Sequence, residues 1–171
     1  MNREIKEMVE NIPAEVRWNI ASQASTGTAV ALDAAIQEAV GPEKRKEILM
    51  RLYAGSAPGV KQIIDALGLP TDNAEAAAKA VTCANIVMFG TEMQIDITEA
   101  SPQKVAAKMT GCAFPLRMKE MGVKMDCLPV CTAYQKATYN AFNPKLKVNI
   151  GDKCINRGDA YCGEFVVEMQ E

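Results

Sequence analysis

The chain has 171 residues, 49% of them hydrophobic and 23% charged, with a formal net charge of −2 and a pI near 5.4. A chain of this size and balance can bury a substantial core and is not of the disordered class. The near-neutral charge, with Lys and Arg scattered among acids, gives no electrostatic footprint for nucleic acid. No apolar run approaches the roughly 18 residues of a membrane span, and Met-Asn-Arg-Glu-Ile-Lys-Glu is not a signal peptide, so the expectation is a cytoplasmic protein with no membrane partner.

Helical periodicity dominates the first half. A short amphipathic piece covers Ile5 to Val9, and Pro13 suits the first turn of a longer helix reaching Val40. Gly41-Pro42 stops that helix and starts another, marked by Ile48, Leu49, Leu52 and Tyr53. Gly55 to Gly59 reads as a break, followed by a brief helix from Val60 to Leu67. Asp72 and Glu75 have capping-box spacing ahead of an Ala-rich helix from Ala74 to about Phe89, in which Cys83 reads as core filler.

Near Gly90 the period changes to two. Met93, Ile95 and Ile97 alternate with polar residues, and Ser101-Pro102 turns into a second strand from Lys104 toward Phe114. A loop through Met118, Lys119 and Gly122 leads to a helix from near Asp126 to Asn143. Leu146, Val148 and Ile150 then make a strand that returns, after Asn156 to Asp159, through Tyr161, Phe165, Val167 and Met169. The expected architecture is α+β in a single domain over 1–171. Its helical part is 1–90, and a hairpin-helix-hairpin part spans 91–171, with the hairpins joined in one antiparallel sheet.

Histidine is absent, which removes Ser-His and Cys-His pairs and every His-containing zinc site, whereas five of the six cysteines fall after residue 111. In a reducing compartment these read first as buried fillers, reactive thiols or metal ligands, and only second as disulfides. Cys154 shares the phase of Leu146 and Val148 and reads as core. Cys112 and Cys162 have the opposite phase from the apolar positions of their strands. Cys127 and Cys131 lie on one side of a helix start, where the dipole favours thiolate or metal binding, although buried inert cysteines fit equally.

Convergence of Cys112, Cys131 and Cys162 through folding would give a site for zinc or iron with an open position. Asp126 and Asp159 are candidates for proton transfer, each with an alternative structural role as a helix cap or turn residue. Met118, with Met121 and Met125, and the neighbouring Phe114 and Tyr134 are candidates for a ligand pocket.

Cys112-Ala113-Phe114-Pro115, the Cys127/Cys131 helix, Asn143-Pro144-Lys145-Leu146 and Gly158-Asp159-Ala160-Tyr161-Cys162 resemble the aminothiazoline-carboxylate hydrolase-like family. They resemble, more distantly, the four-vinyl-reductase small-molecule-binding domains. The resemblance implies the α+β fold shared with vesicle-transport-particle subunits, with helices on a small antiparallel sheet over a ligand cavity. It also implies either hydrolysis of a cyclic thiazoline-type substrate, with Cys131 as the matching helical cysteine, or non-catalytic binding of a small molecule. A homodimer is expected as well, because the fold's relatives often pair and the edges of a short sheet need cover.

Overall fold

The computed structural model describes residues 3–170. Helices α1 (Arg3–Glu10), α2 (Ala14–Val40), α3 (Pro42–Gly55), α4 (Ala57–Ala66) and α5 (Ala74–Phe89) precede the hairpin β1 (Gln94–Ala100) and β2 (Lys104–Gly111). Then follow α6 (Ala113–Glu120), α7 (Leu128–Phe142), β3 (Leu146–Ile150), a 3-10 turn (Ile155–Arg157) and β4 (Cys162–Met169). The α+β class expected from periodicity is the class observed.

The four strands form one antiparallel sheet in the order β1-β2-β4-β3, so the two hairpins join through β2 and β4. Strand parity selects the buried face. Val105, Leu146, Val148 and Val167 turn toward α5 and α7, where Ala77, Ala80, Val81 and Ala84 leave room for close helix-on-sheet packing. Tyr134 and Tyr139 of α7, with Val60 and Ile64 of α4, complete this core.

The long helix α2 lies across the rest with an unusual buried stripe, Ser22, Thr26, Val30 and Asp33, spaced one helical turn apart. The small polar members are satisfied locally, since Thr26 Oγ1 donates to the Ser22 carbonyl at 2.9 Å. Asp33 is held from another helix, as described below.

Four local expectations need correction. The break at Gly55–Gly59 narrows to Ser56 alone, because Pro58 fits the first turn of α4 and Gly59 lies within it. The cap of α5 is Asn73, whose side chain accepts from the Ala76 N–H at 2.9 Å, in place of Asp72. β2 ends at Gly111, where an added Cβ would sit 2.6 Å from the Glu92 carbonyl oxygen, short of the expected Phe114. The segment expected to be a loop through Met118 is helix α6, capped by extended Cys112 and carrying Pro115 in its first turn, where no intrahelical N–H bond is lost.

Candidate functional site

Between the inner end of the sheet, α2, α3 and α7 lies a cavity of about 90 Å³. Cys112, Cys127, Cys131, Cys154 and Cys162 all reach its wall, so folding gathers every cysteine except Cys83 around one space. Three methionines (Met93, Met109 and Met118), together with Tyr53, Phe89, Phe114, Tyr134 and Phe165, supply most of the remaining lining. The ligand candidates Phe114, Met118 and Tyr134 therefore all face the cavity.

Each thiol arrives by a different local device. Cys112 is the extended residue between β2 and α6, and Cys127 and Cys131 occupy the N-terminal end of α7, with the Cys131 N–H bonded to the Cys127 carbonyl. Cys154, wholly buried at 0% exposure, precedes the 3-10 turn, and its N–H donates to Asp159 Oδ2 at 2.8 Å. Cys162 opens β4. Gly163, at φ 51°, is an extra residue in β4 opposite the Lys108–Met109 step of β2, and this bulge turns Cys162 inward beside Met109. Strand parity alone, counted back from Phe165 and Val167, assigns Cys162 to the wrong face.

The sulfurs form a chain of contacts. Cys127 Sγ and Cys154 Sγ are 3.6 Å apart, the Ile155 N–H donates to Cys162 Sγ at 3.2 Å, and the Asn156 amide donates toward Cys127 Sγ and the Met125 carbonyl. Hydrogen bonds from Cys127 and Cys162, helped by the Asn156 N–H and Arg157, lower the Cys154 pKa against the opposing effect of burial. Bonding to Cys154, followed by burial, raises Cys127 and Cys162. Burial pushes Cys112 up to about 11 and Cys131 up to about 12. Of the two alternatives at the start of α7, thiolate or inert thiol, the surroundings favour the inert thiol: desolvation outweighs the helix dipole at Cys131, and the Cys154 bond leads at Cys127. Cys154 is the one thiol of the five shifted toward ionisation.

The only charged residues in the lining are Asp33 and Arg45, and they neutralise each other. Arg45 Nε and Nη2 meet the two Asp33 carboxylate oxygens at 2.5 Å each, and Nη1 donates to the Asp126 carbonyl at 3.0 Å. Both side chains are buried, at 3% exposure for Arg45 and 8% for Asp33. On another side, Tyr134 Oη donates to Asn85 Oδ1 at 2.8 Å, and buried Gln135 lies alongside. Of these polar members only Tyr134 is a candidate from the sequence. A lone acid in the apolar run Ala-Val-Ala-Leu-Asp-Ala-Ala-Ile was the available signal for Asp33.

Asp126 and Asp159, the candidate proton carriers, stand outside the lining. Asp126 accepts from the Leu128 N–H at the start of α7 and pairs with Arg157 at 2.6 Å, while Asp159 holds the Cys154 backbone. Cys112, Cys131 and Cys162 share the cavity. Among the described residues, however, no three His, Cys, Asp or Glu side chains are disposed as a metal-ligand set, so the convergence expected for zinc or iron is not assembled.

The family model for L-2-amino-thiazoline-4-carboxylic acid hydrolase matches residues 19–165, from within α2 to within β4, which takes in every residue of this cavity. The chain belongs to that family. No curated protein matches the sequence. Among solved structures, the fold is similar to the phenol-responsive sensory domain of the transcription activator PoxR with phenol, at a TM-score of 0.59 and 11% identity over 84% of this chain and 74% of that one. It is also similar to trafficking protein particle complex subunit 3 from Naegleria fowleri covalently bound to palmitic acid, at 0.60 and 14% over 89% and 96%. These identities show a common fold, which agrees with the distant resemblance to four-vinyl-reductase domains. Among the described residues no helix is long and apolar enough to cross a membrane.

Proposed function

We propose that this member of the hydrolase-like family binds a small, uncharged, largely apolar organic molecule in the thiol-lined cavity. The observation that carries the reading is the wall itself. Sulfur and aromatic groups surround the space, and its single cation is already matched by Asp33, so no unmatched cationic side chain awaits an anionic ligand. Ligands named for two proteins of the same fold, phenol and palmitic acid, are of this apolar organic kind. Native mass spectrometry of freshly purified protein should find a retained organic mass, and a panel of phenols and short alcohols should raise the melting temperature. A panel in which only charged ligands stabilise the protein rejects the reading.

A second reading, favoured by the family match and the lowered pKa of Cys154, is hydrolysis of a thiazoline carboxylate. Water would add across the C2–S bond, leaving C2 as a carbonyl and the ring sulfur as a thiol, to give N-carbamoyl-cysteine. Cys154 would attack C2 first and be released by water. The substrate carboxylate would have to compete with Asp33 for Arg45, which ranks this reading below binding. Incubation with aminothiazoline carboxylate decides it: no N-carbamoyl-cysteine beyond that made by Cys154→Ser rejects it.

A further inference from the structure

A second apolar space lies against the first. It is an open groove of about 460 Å³ between α3, α4, α5 and α7, lined by Leu52, Ser56, Gly59, Val60, Ile63 and Met88. Three side chains, Tyr53, Phe89 and Tyr134, line both the groove and the thiol cavity, so one aromatic partition separates the two. Phe114 stacks edge-on against Tyr53 and Phe89, with centroids 6.4 and 5.2 Å away, and steadies that partition from the cavity side.

We infer that the ligand is elongated, with its head among the thiols and an unbranched aliphatic tail passing between the partition rings into the α3-α4-α5-α7 groove. This rests on the small-molecule reading above and specifies its substrate class. The cavity offers about 90 Å³ and the groove beyond the rings about 460 Å³, so room for added methylenes lies on the groove side. Its lining carries no charged side chain, and of its three hydroxyl residues Ser56 is already bonded to the Tyr53 carbonyl at 2.7 Å and Tyr134 to Asn85 Oδ1 at 2.8 Å, which leaves the Tyr53 hydroxyl. Such a surface offers a ligand apolar contact and little else, which suits methylenes. Of the three rings Tyr53 and Phe89 are only half-buried, so rotating them, with Tyr134 left on Asn85, opens the way between the two spaces.

Gly59 provides the test. It sits inside α4 at a groove position where an added Cβ meets nothing within 4 Å, so a large side chain there fills the groove without displacing backbone. Binding of straight-chain 1-alkanols from butanol to decanol is measured calorimetrically on the full chain. In the native protein affinity should rise by roughly fourfold per methylene once the cavity is filled. In Gly59→Phe the shorter members should bind as before and the rise should vanish, while Gly59→Ala should keep it. Ile63→Phe serves as the second blocking variant should Gly59→Phe fail to fold.

An unchanged length dependence in folded blocking variants overturns the groove assignment. Short members that bind with no gain from added methylenes also overturn it and leave the small-molecule reading intact. Failure of every alkanol to bind overturns both.

Discussion

Cys127 Sγ and Cys154 Sγ stand 3.6 Å apart across the junction of α7 and the 3-10 turn, two residues 27 positions apart in sequence and brought into sulfur contact by the fold. A disulfide would require an approach of roughly 1.5 Å more. Cys154 is the thiol whose pKa is lowered, by its bonds from Cys127 and Cys162, so peroxide that reaches the cavity is expected to oxidise it first. Attack of the thiolate on hydrogen peroxide gives a sulfenic acid and, after protonation, one water; attack by Cys127 then forms the S–S bond and releases a second. Treatment with dilute peroxide should remove two titratable thiols per chain and give one dominant cross-linked peptide pair, Cys127 with Cys154. Cross-links dominated by Cys83, Cys112 or Cys131 would contradict the arrangement.

The other buried thiols act on stability through pH. A folded-state pKa of about 11 for Cys112 and about 12 for Cys131, against the usual 9.0, means that the folded protein keeps protons that the unfolded chain releases. The stability from this source is fully present below pH 9 and is lost as pH climbs toward those raised values. The double variant Cys112→Ala/Cys131→Ala should be less stable at pH 8, from lost packing, yet should have a flatter profile. Between pH 8 and 10 its loss should be smaller than the native protein's by roughly 2 kcal/mol in urea unfolding. Parallel profiles would show that burial of these two thiols is not what sets their protonation. Tyr134 and Tyr139, both raised chiefly by burial, add in the same direction at higher pH.

Asp33 and Arg45 join α2 to α3 in a pair that water barely reaches. Removing one member leaves the other as an uncompensated buried charge, whereas removing both leaves a packing problem alone. Asp33→Asn should therefore cost about 3–5 kcal/mol, and Asp33→Leu/Arg45→Met should recover most of it, as measured by chemical denaturation. Arg45 also donates to the Asp126 carbonyl, so Arg45→Met alone should loosen the approach to α7 as well. A cost below about 1 kcal/mol for Asp33→Asn would mean that the pair is solvated, as surface pairs are.

Much of this was legible in the sequence because periodicity survives burial. The alternation at Leu146 and Val148, and the Ala-rich run ending at Gly90, name their elements and inner faces. Phe114, Met118 and Tyr134 line the cavity, along with Cys112, Cys131 and Cys162. Cys154 was read as core from its phase, and it is buried, but on an irregular segment past the end of β3 where phase carries no information. Thiolate character was placed at the helix start from the dipole, which sequence reveals, whereas desolvation and a neighbouring sulfur decide it, and only the fold reveals those. Asp33 and Arg45 escaped because a charge pair formed across two helices has no local spacing.

The bulge at Gly163 is where sequence parity and structure part, and it can be tested directly. At φ 51° an L side chain is disfavoured, and an added Cβ would lie 2.7 Å from Ile150 Cγ2 and 3.2 Å from Phe165 Cε2. Alanine there must both enter the left-handed region, at about 1–2 kcal/mol, and displace packed side chains. Gly122→Ala is the matched control, since Gly122 has φ 66° but open space around its Cβ position. Gly163→Ala should thus cost roughly 2–4 kcal/mol against roughly 1 kcal/mol for Gly122→Ala. Because the bulge is what turns Cys162 inward beside Met109, Gly163→Ala should also make Cys162 markedly faster to alkylate with a neutral maleimide, read by peptide mapping. Equal costs for the two variants, with Cys162 still protected, would mean that the strand reaches the cavity without the bulge.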